Sequence, residues 1–138
     1  MDYILLNLLP ITAAAIASFV FGAVYFVALK RPYALASGTG ETRRRSIGIY
    51  IVTFLAEWWM AAILIGALIL APPEASEWTM GLGSAVIIWI GFVMPATVVN
   101  TRLALRPWSL AIIDSLHWLG VMLVQASTML LIGATPPA

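Results

Sequence analysis

The sequence predicts an all-α integral membrane protein: a four-helix transmembrane bundle forming a single domain over residues 1–138. Three observations predict it. Hydrophobic residues make up 62% of the chain and charged residues only 9%, against about 45–50% and about 25% in soluble domains. The apolar residues fall in four runs, at 3–29, 47–71, 80–99 and 109–133. A helix needs about 20 residues to cross the hydrocarbon core, and the runs meet that length. All seven Lys and Arg residues are confined to two of the connections. The runs use most of the chain, so no water-soluble domain fits beside them.

The first run is too long for a signal-peptide core, lacks a basic leading segment and carries Pro10 early, so it reads as a retained helix. Ala14, Ser18 and Gly22 recur at four-residue spacing, with Tyr25 just beyond. Such a ridge of small residues lets two helices approach closely, either within the chain or as a homo-oligomer interface. The connection 30–46 holds Lys30, Arg31, Pro32, Gly38, Gly40 and the triplet Arg43, Arg44 and Arg45. It is expected to be a flexible loop. Its glycines follow no predicted strand, which argues against a phosphate-binding motif. The triplet is either a topology anchor or a site for anionic lipid head groups.

The second run places Glu57 about 3 Å from its centre at 1.5 Å rise per residue. Tyr50, Thr53 and Glu57 form a short polar stripe, and Trp58 and Trp59 sit beside it at mid-span. One of these rings is expected to cover Glu57 or to face a cavity. The next connection carries Glu74 and Glu77 and no basic residue. In the third run Pro95 removes a backbone donor and is expected to kink the helix. Asn100, at its end, either caps the helix or pairs with Asp114. The connection 100–108 holds Arg102 and Arg106. By the positive-inside rule both basic connections are cytoplasmic and both termini lie outside, as in a multi-pass inner-membrane protein. Trp108, Trp78 and Tyr3 are expected at the membrane interfaces, where amphipathic rings belong.

The fourth run is the most informative surface. Asp114, His117, Val121, Gln125 and Thr128 are spaced three or four residues apart. At about 100° per residue they share one narrow face. Lipid cannot solvate that face, so it must turn toward other helices or water. Thr128 is its weakest member, because a threonine hydroxyl can bond back to its own helix. His117 lies about 6 Å from its run's centre, within reach of Glu57 by depth. A charged side chain at mid-membrane costs about 2.5–3.5 kcal/mol on insertion scales. Glu57 is therefore expected to be paired or neutral near pH 7.

Three readings of Glu57, Asp114 and His117 stand at this point: a structural interhelical pair, a proton or ion relay, and a ligand-binding site, with Asn100, Gln125, Thr53 and Tyr50 as further candidates. The same three residues could bind a metal with open positions, and His117 could ligate a haem or chlorophyll-type pigment. With one His and no Cys a usual zinc site is out of reach, and no metal or cofactor is expected. No Ser-His-Asp arrangement stands out, because Ser115 points away from its neighbours Asp114 and His117. An enzyme is not expected, apart from metal- or pigment-assisted chemistry at His117, and no nucleic-acid partner is implied.

The segment Trp89-Ile90-Gly91-Phe92-Val93, then Asn100, Arg106-Pro107, Ile112-Ile113-Asp114 and Leu131-Ile132-Gly133, together with Phe21-Gly22-Ala23-Val24-Tyr25, resembles the bacterial membrane-protein family catalogued as domain of unknown function 1761. The sequence departs after Asp114, where the family pattern leads to Gly-Tyr or Gly-Trp and this chain has Ser115-Leu116-His117-Trp118. The resemblance implies a four-helix inner-membrane protein and supplies no activity. Two functions remain open. One is a small transporter or ion- or proton-translocating protein, dimeric or larger. The other is a non-catalytic accessory subunit of a larger membrane complex.

Overall fold

The computed structural model describes residues 2–38, 46–72 and 74–137, all of it helix and connecting backbone. Helices α1 (Asp2–Leu6) and α2 (Leu8–Ala28) form the first span, and α3 (Lys30–Ser37) follows directly. Helix α4 (Ile47–Ile69) is the second span. Helix α5 (Glu77–Ile88), a π-helical turn (Trp89–Val93) and α6 (Met94–Leu103) run on as the third. Helix α7 (Trp108–Ile132) is the fourth. Four helical stretches are long and apolar enough to cross a membrane: Leu8–Ala28, Ile47–Ile69, Glu77–Leu103 and Trp108–Ile132. The protein is an all-α, multi-pass membrane bundle.

Several boundaries differ from the sequence expectation, for local reasons. The first run does not form one helix. It breaks at Asn7, whose side-chain amide donates to the Tyr3 carbonyl at 2.8 Å, competing with the helix ladder as short polar side chains do. The stretch expected to be a flexible loop contains α3 instead. It starts at the break after Leu29 and ends at Gly38, whose φ of 66° is the left-handed cap that glycine takes without strain. Arg43, Arg44 and Arg45 lie outside the described residues. The third span starts at Glu77, because Ser76 caps it by accepting from the Thr79 amide at 3.2 Å. It runs on to Leu103, past the apolar residues that marked it in the sequence.

The expected disturbance at Pro95 takes the form of the π turn. Proline has no amide to give the carbonyl four residues earlier. The helix widens just before it, and the Met94 amide reaches the Trp89 carbonyl. The tight turn from α6 to α7 closes with Leu105 amide to Arg102 carbonyl at 3.0 Å and Arg106 amide to Thr101 carbonyl at 3.1 Å. That is a Schellman motif, with Leu105 at φ 55° where glycine is usual.

Helix α2 packs against both α4 and α7, and α7 also carries α5 and α6. One core cluster, Ile11, Ala14, Ala61, Ala62, Ile65 and Met129, fills the half of the bundle remote from the basic connections. A second, Leu64, Ala85, Met122 and Ala126, joins α4, α5 and α7. The remote end is tied by a clasp: the Asn7 amide donates to the Thr135 carbonyl at 2.8 Å, and the Thr135 amide donates to Asn7 Oδ1 at 2.7 Å. At the opposite end the two basic segments meet, since a side chain added at Gly38 would touch the Arg106 guanidinium.

Candidate functional site

Ser18 is the midpoint of α2, and Glu57 is one residue from the midpoint of α4. Both are completely buried, as is Gln125 on α7. The three side chains meet where α2, α4 and α7 converge. Ser18 Oγ lies 2.7 Å from Glu57 Oε2. Gln125 Nε2 donates to Ser18 Oγ and to the Glu57 backbone carbonyl, each at 3.0 Å. Ser18 Oγ is also 3.1 Å from the Ala15 carbonyl of its own helix.

This arrangement is hydrogen-bonded in either protonation state of Glu57. A serine hydroxyl has one proton to give and two lone pairs to receive on. With Glu57 ionised, Ser18 donates to Oε2 and accepts from Gln125. With Glu57 neutral, the carboxyl donates to Ser18, which still accepts from Gln125 and turns its own proton to the Ala15 carbonyl. No heavy atom has to move between the two states.

His117 is also buried, on α7 about two turns from Gln125 toward the basic connections. Its ring is boxed by Phe21, Tyr25, Phe26 and Trp118, with ring centroids 4.6–6.4 Å away. Its Nε2 has no hydrogen-bond partner. The Tyr25 hydroxyl donates to the Ile113 carbonyl at 2.9 Å, beside the half-buried Asp114. The expected contact between His117 and Glu57 is not a direct one. The two approach across Gly22: a Cβ placed there would lie 2.9 Å from His117 Nε2 and 3.9 Å from Glu57 Oε1.

Other candidates are placed elsewhere. Tyr50 and Thr53 do not join the cluster. Tyr50 is exposed and meets the edge of the Phe19 ring at 6.5 Å. Thr53 returns its hydroxyl to the Ile49 carbonyl at 2.8 Å. Asn100 is exposed, and its backbone carbonyl rather than its side chain accepts from Ala104. Thr128 bonds back to Val124 at 2.8 Å. Ala14, Ser18 and Gly22 are buried within the chain, which leaves that ridge no surface for a second copy. Trp58 donates to Thr12 at 3.2 Å, while Trp59 faces outward. Among the described residues no group of three His, Cys, Asp or Glu is placed to hold a metal, so Glu57, Asp114 and His117 do not form the triad considered above.

Sequence reasoning missed three participants. The four-residue spacing marks Ser18 as a packing residue, although a hydroxyl at mid-span must find a partner. The aromatic box around His117 combines Phe21, Tyr25 and Phe26 of one helix with Trp118 of another. Asn7 carried a signal, as an amide near the end of an apolar run.

The chain matches the model of the family described as Protein of unknown function (DUF1761) over residues 9–130. It belongs to that family. No curated protein and no solved structure matches the chain. The matched region contains Ser18, Gly22, Glu57, His117 and Gln125, whereas the Asn7–Thr135 clasp falls outside it.

Proposed function

We propose that this protein translocates protons or a small cation across a membrane, with Glu57 as the exchanging group at mid-depth. His117 and Asp114 are the steps that connect it to the end bearing the basic segments. One observation carries the reading: the Ser18–Glu57–Gln125 cluster satisfies both the charged and the neutral carboxyl without rearrangement. Two neutral residues such as Ser18 and Gln125 would lock the helices by themselves. A carboxyl added to them carries the insertion cost of an ionisable group, and proton exchange gives that cost a use. The placement of the basic residues supports an inner-membrane orientation with both termini on the non-cytoplasmic side.

A second reading is favoured by the third span, which is the least buried of the four. Its outer surface suits a neighbour within the bilayer, so the protein would be an accessory subunit whose polar cluster only fastens helices. Purification separates the two. A monodisperse homo-oligomer supports transport, and steady co-purification with one larger complex supports the subunit.

The direct test is proton flux into liposomes. Glu57→Gln keeps an oxygen for Ser18 but cannot exchange a proton, so it should fold like the parent and abolish flux. Flux that persists in Glu57→Gln, or is absent from the parent protein, removes the transport reading.

A further inference from the structure

The third span carries an unpaired backbone acceptor at its centre. Met94 gives its amide to the Trp89 carbonyl, one residue further back than an α-helix would. Ile90 thereby loses its α-helical donor. Its π-helical donor would be Pro95, which has no amide hydrogen. No side chain among the described residues supplies one instead. Ile90 is the midpoint of Glu77–Leu103. It is exposed, and so is Gly91 beside it, with nothing within 4 Å of the place a Cβ would take. Lipid has no donor to offer such a carbonyl.

The second span carries the complementary group. Trp59 is 52% exposed and stands one residue from the midpoint of α4, far from the interfaces where tryptophan belongs. Trp58 and Trp89 give their indole N–H groups to Thr12 and to the Ser115 carbonyl. That of Trp59 finds no acceptor among the described residues. The donor and the acceptor share a depth. A Cβ at Gly81 would lie 3.2 Å from Leu68 Cδ2, which sets the antiparallel register of the two spans. From that contact the same count of residues leads forward to Ile90 on one span and back to Trp59 on the other.

We propose that the third span is a self-association surface, on which the Trp59 indole of one copy donates to the Ile90 carbonyl of the next across the notch at Gly91. A symmetry axis along the membrane normal keeps every residue at its own depth, so groups level within one copy are level between copies. The smallest closed arrangement is a two-fold dimer with two such bonds. The two groups carry opposite partial charge, and each suits the other better than it suits lipid. Gly91 has no side chain to hold the indole away from the backbone. The inference stands apart from proton flux and makes a second copy, rather than a foreign subunit, the occupant of this surface.

Energy transfer tests it between full-length copies carrying a donor or an acceptor dye at the C-terminus, mixed in lipid vesicles over a range of protein-to-lipid ratios. The parent should associate. Trp59→Phe keeps an aromatic ring without the N–H. It should weaken association about threefold for each bond, the average worth of a side-chain hydrogen bond between membrane helices, and so about tenfold in a dimer. Gly91→Leu should abolish association and keep the fold, since nothing of its own chain fills that space. In a Pro95→Ala background the helix regains its missing amide, the carbonyl is satisfied, and Trp59→Phe should have little further effect. A parent protein that stays monomeric overturns the proposal, whether or not it co-purifies with a larger complex. So does parental association in Trp59→Phe, or an equal loss in both backgrounds. Association without proton flux keeps the interface and discards the transport reading, and flux from a monomer does the reverse.

Discussion

The Ser18–Glu57 hydrogen bond should appear as a coupling in a double-mutant cycle. Ser18→Ala removes the 2.7 Å bond to Glu57 and the 3.0 Å bond from Gln125. The Ala15 carbonyl loses little, because it already belongs to the helix ladder. Side-chain hydrogen bonds between membrane helices average about 0.6 kcal/mol and reach about 1.7 kcal/mol. The bond to the carboxyl, at 2.7 Å the shortest in the cluster, belongs at the upper end. Ser18→Ala should therefore cost about 2 kcal/mol in the parent. In a Glu57→Leu background only the Gln125 bond remains to be lost, and the same change should cost about 1 kcal/mol. The expected coupling is the difference, about 1 kcal/mol or roughly fivefold in the unfolding equilibrium. Reversible unfolding in mixed micelles, titrated with a denaturing detergent and followed by helix circular dichroism, measures all four proteins. Independent sites add to within about 0.5 kcal/mol, so a coupling smaller than that refutes the placement of Ser18 against Glu57.

Two glycines on the spans should respond oppositely to alanine. A Cβ at Gly120 would overlap the Phe21 ring, whereas one at Gly83 meets nothing within 4 Å. Gly120→Ala should lose about 1–3 kcal/mol through overpacking, and Gly83→Ala should be neutral or gain up to about 1 kcal/mol from helix propensity; thermal melts in detergent compare them. Leu105→Gly should raise the melting temperature, because a left-handed leucine costs about 1–2 kcal/mol that glycine avoids, and an unchanged melt would count against the φ of 55° at this turn. A reporter fused after Ala138 should signal from the non-cytoplasmic side, and a cytoplasmic signal reverses the orientation proposed for every residue above.

The spans were legible in the sequence because lipid imposes one crude demand, apolar length, and the four runs meet it. Their ends were less legible. They are set by single polar contacts, such as the Ser76 cap and the amide of Asn7, which leave hydropathy unchanged. The inward turn of His117 and Gln125 followed from helical spacing, since the same face carries both and one such face cannot be left in lipid. Tyr50 and Thr53 show where that logic stops. They share a face with Glu57 by spacing, but a threonine satisfies itself on its own helix and a tyrosine can reach outward, so neither is forced inside. Depth likewise gave only one coordinate of the Glu57–His117 relation. The lateral coordinate depends on which helices pack together, and α2 lies against both partners, bringing Gly22 to the point between them.

The polar and apolar halves of the interior are arranged in series along the bundle. From the end with the basic segments, Asp114, Tyr25, His117 and Glu57 lead to mid-depth, each on α2, α4 or α7. Beyond Glu57 the same three helices present Ile11, Ala14, Ala61, Ala62, Ile65 and Met129, with Trp58, which donates to Thr12, packed against them. In this conformation the polar side chains on the remote side of Glu57 are Gln125, bonded to Ser18, and the Trp58–Thr12 pair. Translocation then requires a second conformation in which the remote half opens. The apolar cluster resists that by burial, while the Asn7–Thr135 clasp resists it with two directed hydrogen bonds that water can replace at the bundle's end. Opening should therefore begin at the clasp, with the Ser18–Glu57–Gln125 junction as the fixed point about which α2 and α7 separate.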